Sequence, residues 1–208
     1  MVVNPDLSLY KESQKYTMKI EKEEIIIRET AAGDLENVLN VLKRSFGYDK
    51  EAKLVKELWN DPTAEPVVSL IALHRNEPAG YILFTRACFE EANEQPLMHI
   101  LAPMGVIPEL QQNGIGGMLI EAGIEKLKEL GSRIVYVLGH KEYYPKYGFR
   151  PHAAKWGYEA PYPVPEAYSD YWMIQYITPD QALVPKGKIR CADTLNRPEH
   201  WRDEEADR

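Results

Sequence analysis

The first patterned stretch of the chain is Glu24-Ile-Ile-Ile-Arg28, a β-branched run that predicts a strand. In AAGDLENVLNVLKRSF, which follows, Leu35, Val38, Leu39, Leu42 and Phe46 recur at helical spacing, and Gly47 ends the amphipathic helix. A second helix is expected from Glu51 to Trp59, closed by Asp61-Pro62. The period then changes. Val67 to His74 and Gly80 to Cys88 read as two strands joined through Asn76-Glu77-Pro78, a β-hairpin. FEEANEQP is an acidic loop, and Leu97 to Ile107 is a long strand interrupted by Pro103 and Gly105. A proline removes a ladder hydrogen bond, so this strand carries either a bulge or a splay from its neighbour. A glycine-punctuated loop from Pro108 to Gly117 opens a helix that Gly131 closes. Arg133–Leu138 reads as a buried strand, Glu142–Lys146 as a helical turn, and Tyr171–Ile177 as a last strand. Antiparallel strands thus precede a β-α-β crossover, which makes the fold class mixed α/β (α+β) around one central sheet.

Composition narrows the function classes. The 208 residues suffice for one core, and the formal charge is −7. That balance argues against a dedicated nucleic-acid binder, which carries a basic face. No apolar run approaches the roughly 20 residues of a membrane span, and the start lacks the apolar core of a secretory signal. Cys88 and Cys191 are too few for a disulfide scaffold or a cysteine-based metal site. They read as free thiols in a reducing compartment, so a cytoplasmic protein without metal is expected. Residues 1–20 read as a flexible arm, with Met18 as a possible true start. Residues 21–178 read as the domain. Residues 179–208 read as an extension whose tail, from Pro198, is polar, acidic and disordered.

The chemistry is concentrated between Val106 and Gly117. Glycines let backbone N–H groups converge on one concavity, and the helix N-terminus adds about half a positive charge. Together they suit a phosphate or diphosphate. A Walker A loop would need Gly-Lys-Ser/Thr, and Gly116-Gly117-Met118 lacks it. A dinucleotide fingerprint would need a third glycine and a leading β-α-β unit. What does fit is Gln/Arg-x-x-Gly-x-Gly/Ala, present as Gln111-Gln112-Asn113-Gly114-Ile115-Gly116.

That loop, its place after an interrupted strand, and the later Tyr144-Pro-Lys-Tyr-Gly148-Phe149 together resemble the GNAT superfamily of N-acetyltransferases. The resemblance covers Glu24 to Ile177. The doubled tyrosine after Leu-Gly-His is similar to that of a bacterial and archaeal subgroup of predicted acetyltransferases. The resemblance implies a mostly antiparallel mixed sheet with splayed central strands and flanking helices. It also implies acetyl-CoA as cofactor and a small-molecule or peptide amine as acceptor, attacked directly in a ternary complex. A homodimer is one expected state, and a non-catalytic acyl-CoA-binding module on the same fold is the alternative reading. Met104, Gly105 and Val106 would pair with the pantetheine arm, with the Val106 N–H near the thioester carbonyl. Gln111, Gln112, Asn113, Gly114, Ile115, Gly116 and Gly117 would hold the diphosphate, and Lys146 could reach a phosphate.

Two proton transfers remain. A leaving thiolate has a pKa near 8.5 and an attacking alkylamine near 10.4. The resemblance implies Tyr144 as the general acid, four residues before Gly148. Tyr143 points about 100° away on a helix. Many family members carry a glutamate on the interrupted strand. This chain has none from Leu97 to Val106, which leaves His99 as the titratable side chain there and His140 as its rival. An acceptor pocket is expected between two groups of residues: Phe46, Tyr48, Asp49 and Glu51, and an aromatic segment with Trp156, Tyr158, Glu159, Tyr162, Tyr168 and Trp172.

Overall fold

A computed structural model describes residues 20–91, 95–178 and 184–201. The expected arm before Ile20 and the residues after Trp201 lie outside them. The strands are β1 (Ile25–Glu29), β2 (Val68–His74), β3 (Glu77–Phe89), β4 (Met98–Val106), β5 (Ile134–Leu138), β6 (Tyr158–Glu159), β7 (Trp172–Tyr176) and β8 (Gly187–Cys191). The helices are α1 (Leu35–Phe46), α2 (Lys50–Leu58) and α3 (Ile115–Glu129). They form an eight-stranded sheet ordered β1-β2-β3-β4-β5-β7, with β8 pairing both β3 and β6. The β4–β5 and β6–β8 pairs are parallel and the others antiparallel.

Each helix follows from its sequence. α1 buries Val38, Leu39, Val41 and Leu42, and ends where Gly47 takes a left-handed φ of 76° and its N–H bonds Lys43. α3 buries Leu119, Ile120, Ile124 and Leu127. The helices lie on opposite faces of the sheet. Gly80 packs against Leu119 and Ile115 of α3, while Gly105 packs against Ser45 and Phe46 of α1. Gly80 pairs with Val106, so Val106 shares the α3 face and its neighbour Gly105 turns to α1.

The expected interruption of β4 is both a bulge and a splay. The β3–β4 register shifts between Ile82↔Met104 and Phe84↔Leu101, leaving one extra residue on β4. The parallel ladder to β5 ends at Leu101↔Val137, just before Pro103, which has no N–H to offer. Beyond that point β4 and β5 separate.

The C-terminal residues differ from expectation. Residues 187–191 are a strand: Ala87↔Cys191 and Phe89↔Ile189 join them to the far end of β3. Pro198–His200 form a 3-10 turn, and the Trp201 ring meets Trp172 at 5.9 Å. The helical turn expected over Glu142–Lys146 is a four-residue 3-10 turn, Tyr144–Tyr147. Among the described residues no helix is long and apolar enough to cross a membrane.

Candidate active site

The site begins with the strand that the splay exposes. The N–H of Ile107 bonds the Ala79 carbonyl at 2.9 Å. Hydrogen-bonded residues alternate along an antiparallel ladder, so Gly105 faces β3 while Met104 and Val106 turn their N–H and C=O groups toward the gap. Of the three expected strand residues, two therefore offer backbone to a ligand. Gly105 acts through packing instead. A Cβ there would sit 2.8 Å from the Ser45 Cβ, so it is the close contact that seats α1 on β4. The Val106 carbonyl is already engaged by the Gln111 side chain at 3.0 Å. Its N–H is not used by β3.

The loop beyond is tied by side chains and opens its backbone. Asn113 accepts from the Ile20 N–H at 3.2 Å and donates to the Leu110 and Gln111 carbonyls at 3.3 and 3.2 Å. Gln111 and Asn113 thus brace the loop. Gln112 and Gly114 both take left-handed φ, 62° and 82°. Such turns aim successive N–H groups inward. Gly114 is the N-cap of α3 without a side-chain cap, and the first turn holds no acidic residue. The first N–H bonded within the helix is that of Met118, to Gly114 at 3.0 Å. The N–H groups of Ile115, Gly116 and Gly117 therefore have no helical partner. No lysine or arginine occurs from Ile107 to Glu125. An uncapped, acid-free N-terminus of a 15-residue helix fits a diphosphate group through backbone donors alone.

The two tyrosines take different positions. Tyr144 is buried, with its ring against Gly139 at the end of β5 and edge-on to Phe149 at 5.5 Å. A side chain at Gly139 would overlap that ring. Burial alone pushes the Tyr144 hydroxyl well above the ordinary phenol range. Tyr143 turns instead to the start of α3, where its hydroxyl occupies the space a Cβ of Gly116 would need. Tyr147 does the same at Gly117. Both tyrosine contacts were missed from sequence, although the doubled tyrosine and doubled glycine were visible signals.

His99 corrects an expectation. It is fully buried in the part of β4 still paired with β5, with Nδ1 2.9 Å from Ser132 Oγ and Nε2 2.9 Å from the Pro66 carbonyl. A carbonyl only accepts, so Nε2 carries the proton and Nδ1 accepts from Ser132. Burial lowers its pKa to about 4. Neither nitrogen is open to an incoming amine, so His99 is a core histidine and not the general base. His140 is exposed and its carbonyl accepts from the Tyr143 and Tyr144 N–H groups. Lys146 is exposed.

The expected acceptor pocket divides. Phe46, Tyr48 and Glu51 gather at the α1–α2 junction beside Gly105, with Tyr48 donating to Glu51 at 3.3 Å. Glu51 is buried, which raises its carboxyl pKa, and its Oε2 has no hydrogen-bond partner among the described residues. Asp49 pairs with Lys53 at 3.0 Å. The second group is mostly core. Trp172 and Tyr158 are fully buried, Trp172 Nε1 bonds the Tyr158 carbonyl at 2.8 Å, and Tyr162 bonds Asn196. They hold β6, β7 and the C-terminal segment together. Trp156 and Glu159 are exposed, and Tyr168 packs on Tyr171.

Residues 35–149 match the model of the acetyltransferase (GNAT) family. An uncharacterised N-acetyltransferase of Escherichia coli, YjhQ, is 49% identical over 79% of this chain and 90% of its own length. The crystal structure of E. coli YhbS in complex with CoA is similar at a TM-score of 0.74, with 24% identity over 84% of this chain and 93% of that one. A Brucella melitensis GNAT family acetyltransferase in complex with acetyl-CoA is similar at a TM-score of 0.65, with 24% identity, covering 82% and 97%.

Proposed function

Given that the chain belongs to the GNAT acetyltransferase family, we propose that it transfers an acetyl group from acetyl-CoA to a primary amine by direct attack in a ternary complex. The observation that carries this reading is the meeting of two features at one gap: the Met104 and Val106 backbone turned away from β3, and the uncapped start of α3.

Acetyl-CoA would supply an acetyl group activated as a thioester. The Ile115, Gly116 and Gly117 N–H groups bind its diphosphate. Met104 and Val106 add backbone hydrogen bonds to the pantetheine amides, as a strand partner would. The Val106 N–H is the donor offered to the oxygen on which charge gathers during attack. Tyr144, kept protonated by burial, delivers its proton from Oη to the departing sulfur. The amine must arrive neutral, and it approaches from the α1–α2 junction, where the Tyr48–Glu51 pair offers polar recognition. The amine nitrogen sheds one proton to solvent as the amide forms, which balances the proton Tyr144 gives up and later regains. The two free thiols suit a cytoplasmic setting.

A second reading, a non-catalytic acyl-CoA-binding module, is favoured by the absence of a carboxylate on β4 and the engaged nitrogens of His99. Thiol release from acetyl-CoA over a panel of amines separates the two. As an acid, Tyr144 contributes about a hundredfold or more to turnover. Tyr144→Phe is therefore expected to lower kcat by that factor with little change in acetyl-CoA affinity. Binding without turnover for any amine, or a Phe variant as fast as the parent, would favour the module.

A further inference from the structure

We infer that the Tyr143 hydroxyl is a side-chain ligand of the CoA diphosphate, and that Gly116 is glycine to admit it. The inference rests on the cofactor reading above and adds a donor that the loop pattern does not contain.

Gly116 is the second residue of α3, one of the three whose N–H groups lack helical partners. Its missing side chain leaves a space filled by the Tyr143 hydroxyl. Met104 Cε lies 3.5 Å from the same point. The phenol oxygen is therefore at the place where the diphosphate end of the groove, at α3, meets the strand end, at Met104. Cβ atoms on a helix tilt toward its N-terminus, so the Gly116 position looks toward the open N–H groups.

The ring is fixed independently of any ligand. It packs edge-on to Tyr144 at 5.4 Å and tilted to Tyr147 at 5.2 Å, and its backbone N–H bonds the His140 carbonyl at 3.0 Å. The surrounding chemistry asks for such a donor. With no lysine or arginine from Ile107 to Glu125, the loop itself neutralises a diphosphate with backbone dipoles only. A phenol O–H to a phosphate oxygen is a charge-assisted hydrogen bond, among the stronger kinds.

The test is calorimetric titration of the full chain with CoA and with 3′-phosphoadenosine 5′-diphosphate, which lacks the pantetheine arm. Tyr143→Phe keeps the ring and its packing, and an unchanged melting temperature checks this. The expected result is about tenfold weaker binding of both ligands, the size of one lost charge-assisted hydrogen bond. Gly116→Ala, which places a methyl where the hydroxyl lies, should weaken both as well. Unchanged or tighter binding by Tyr143→Phe overturns the assignment. A loss seen with CoA alone also overturns it, because the contact would then be to pantetheine. If the parent chain binds neither ligand, the cofactor reading falls and this assignment falls with it.

Discussion

At the scale of single residues, burial decides which titratable groups can do chemistry. His99 and Tyr144 are both buried, yet they differ in what they face. The ring nitrogens of His99 are both bonded to protein, whereas the Tyr144 ring packs on Gly139, just past the end of β5. Sequence alone placed both on the right elements but could not show this difference, because it depends on Pro66 and Ser132, each 33 residues away. The His99 pKa, about 4 when folded and near 6.5 when unfolded, makes a stability prediction. Between those values the unfolded chain binds a proton that the folded chain refuses, so stability falls as pH drops from 6.5 to 4. The shift is worth about 3 kcal/mol. Urea unfolding at pH 7 and pH 4.5 should show a loss of that order, over and above carboxylate effects. Asp34 and Asp61, both held at about 2, lose their contributions only as pH falls below about 3.8. Arg28 holds Asp34 down. At Asp61 burial pushes upward, and hydrogen bonds from Thr63 and Thr194 outweigh it. Equal stability at pH 7 and 4.5 would contradict the neutral, buried His99.

At the scale of elements, α3 shows that one residue type serves two purposes. Gly114 is needed for its left-handed backbone. Gly116, Gly117 and Gly123 are helical, and each makes room for a ring: Tyr143, Tyr147 and Phe84 respectively. The loop pattern was legible because its glycines sit at a strand-to-helix junction. The role of the helical glycines was not, because the rings that use them come from β3 and from the turn before Gly148. Gly123→Ala tests the distinction. Helix propensity alone would favour alanine by about 1 kcal/mol. The added Cβ would overlap the fully buried Phe84 ring, and such overpacking costs about 1–3 kcal/mol. A net loss of stability in urea unfolding is expected, relieved when Phe84→Leu is combined with it. A stabilised Gly123→Ala would show that the helix does not press on β3 as described.

At the scale of the whole molecule, the succession of elements and the interruption of β4 were legible from Glu24 to Ile177, since long periodic runs and Pro103 carry them. The C-terminal contribution was not. β6 is two residues long, too short to show a period. In β8, Ile189 and Cys191 point inward and Lys188 and Arg190 outward, an alternation present in the sequence but brief. Trp201 packs on Trp172 from within an acidic stretch that composition marks as tail. The aromatic segment forms the core that fastens this part to β7. The sheet and its α3 crossover thus hold the splayed strand and the helix N-terminus in one frame, and the prediction at this scale is binding of acetyl-CoA in that frame. Its most direct test is calorimetric titration with acetyl-CoA of the parent chain and of the Gly114→Glu, Gly116→Glu double variant, which places two carboxylates at the diphosphate position. Binding at micromolar affinity by the parent, lost in the variant, is the expected result. No binding by the parent, or equal binding by both, would contradict it.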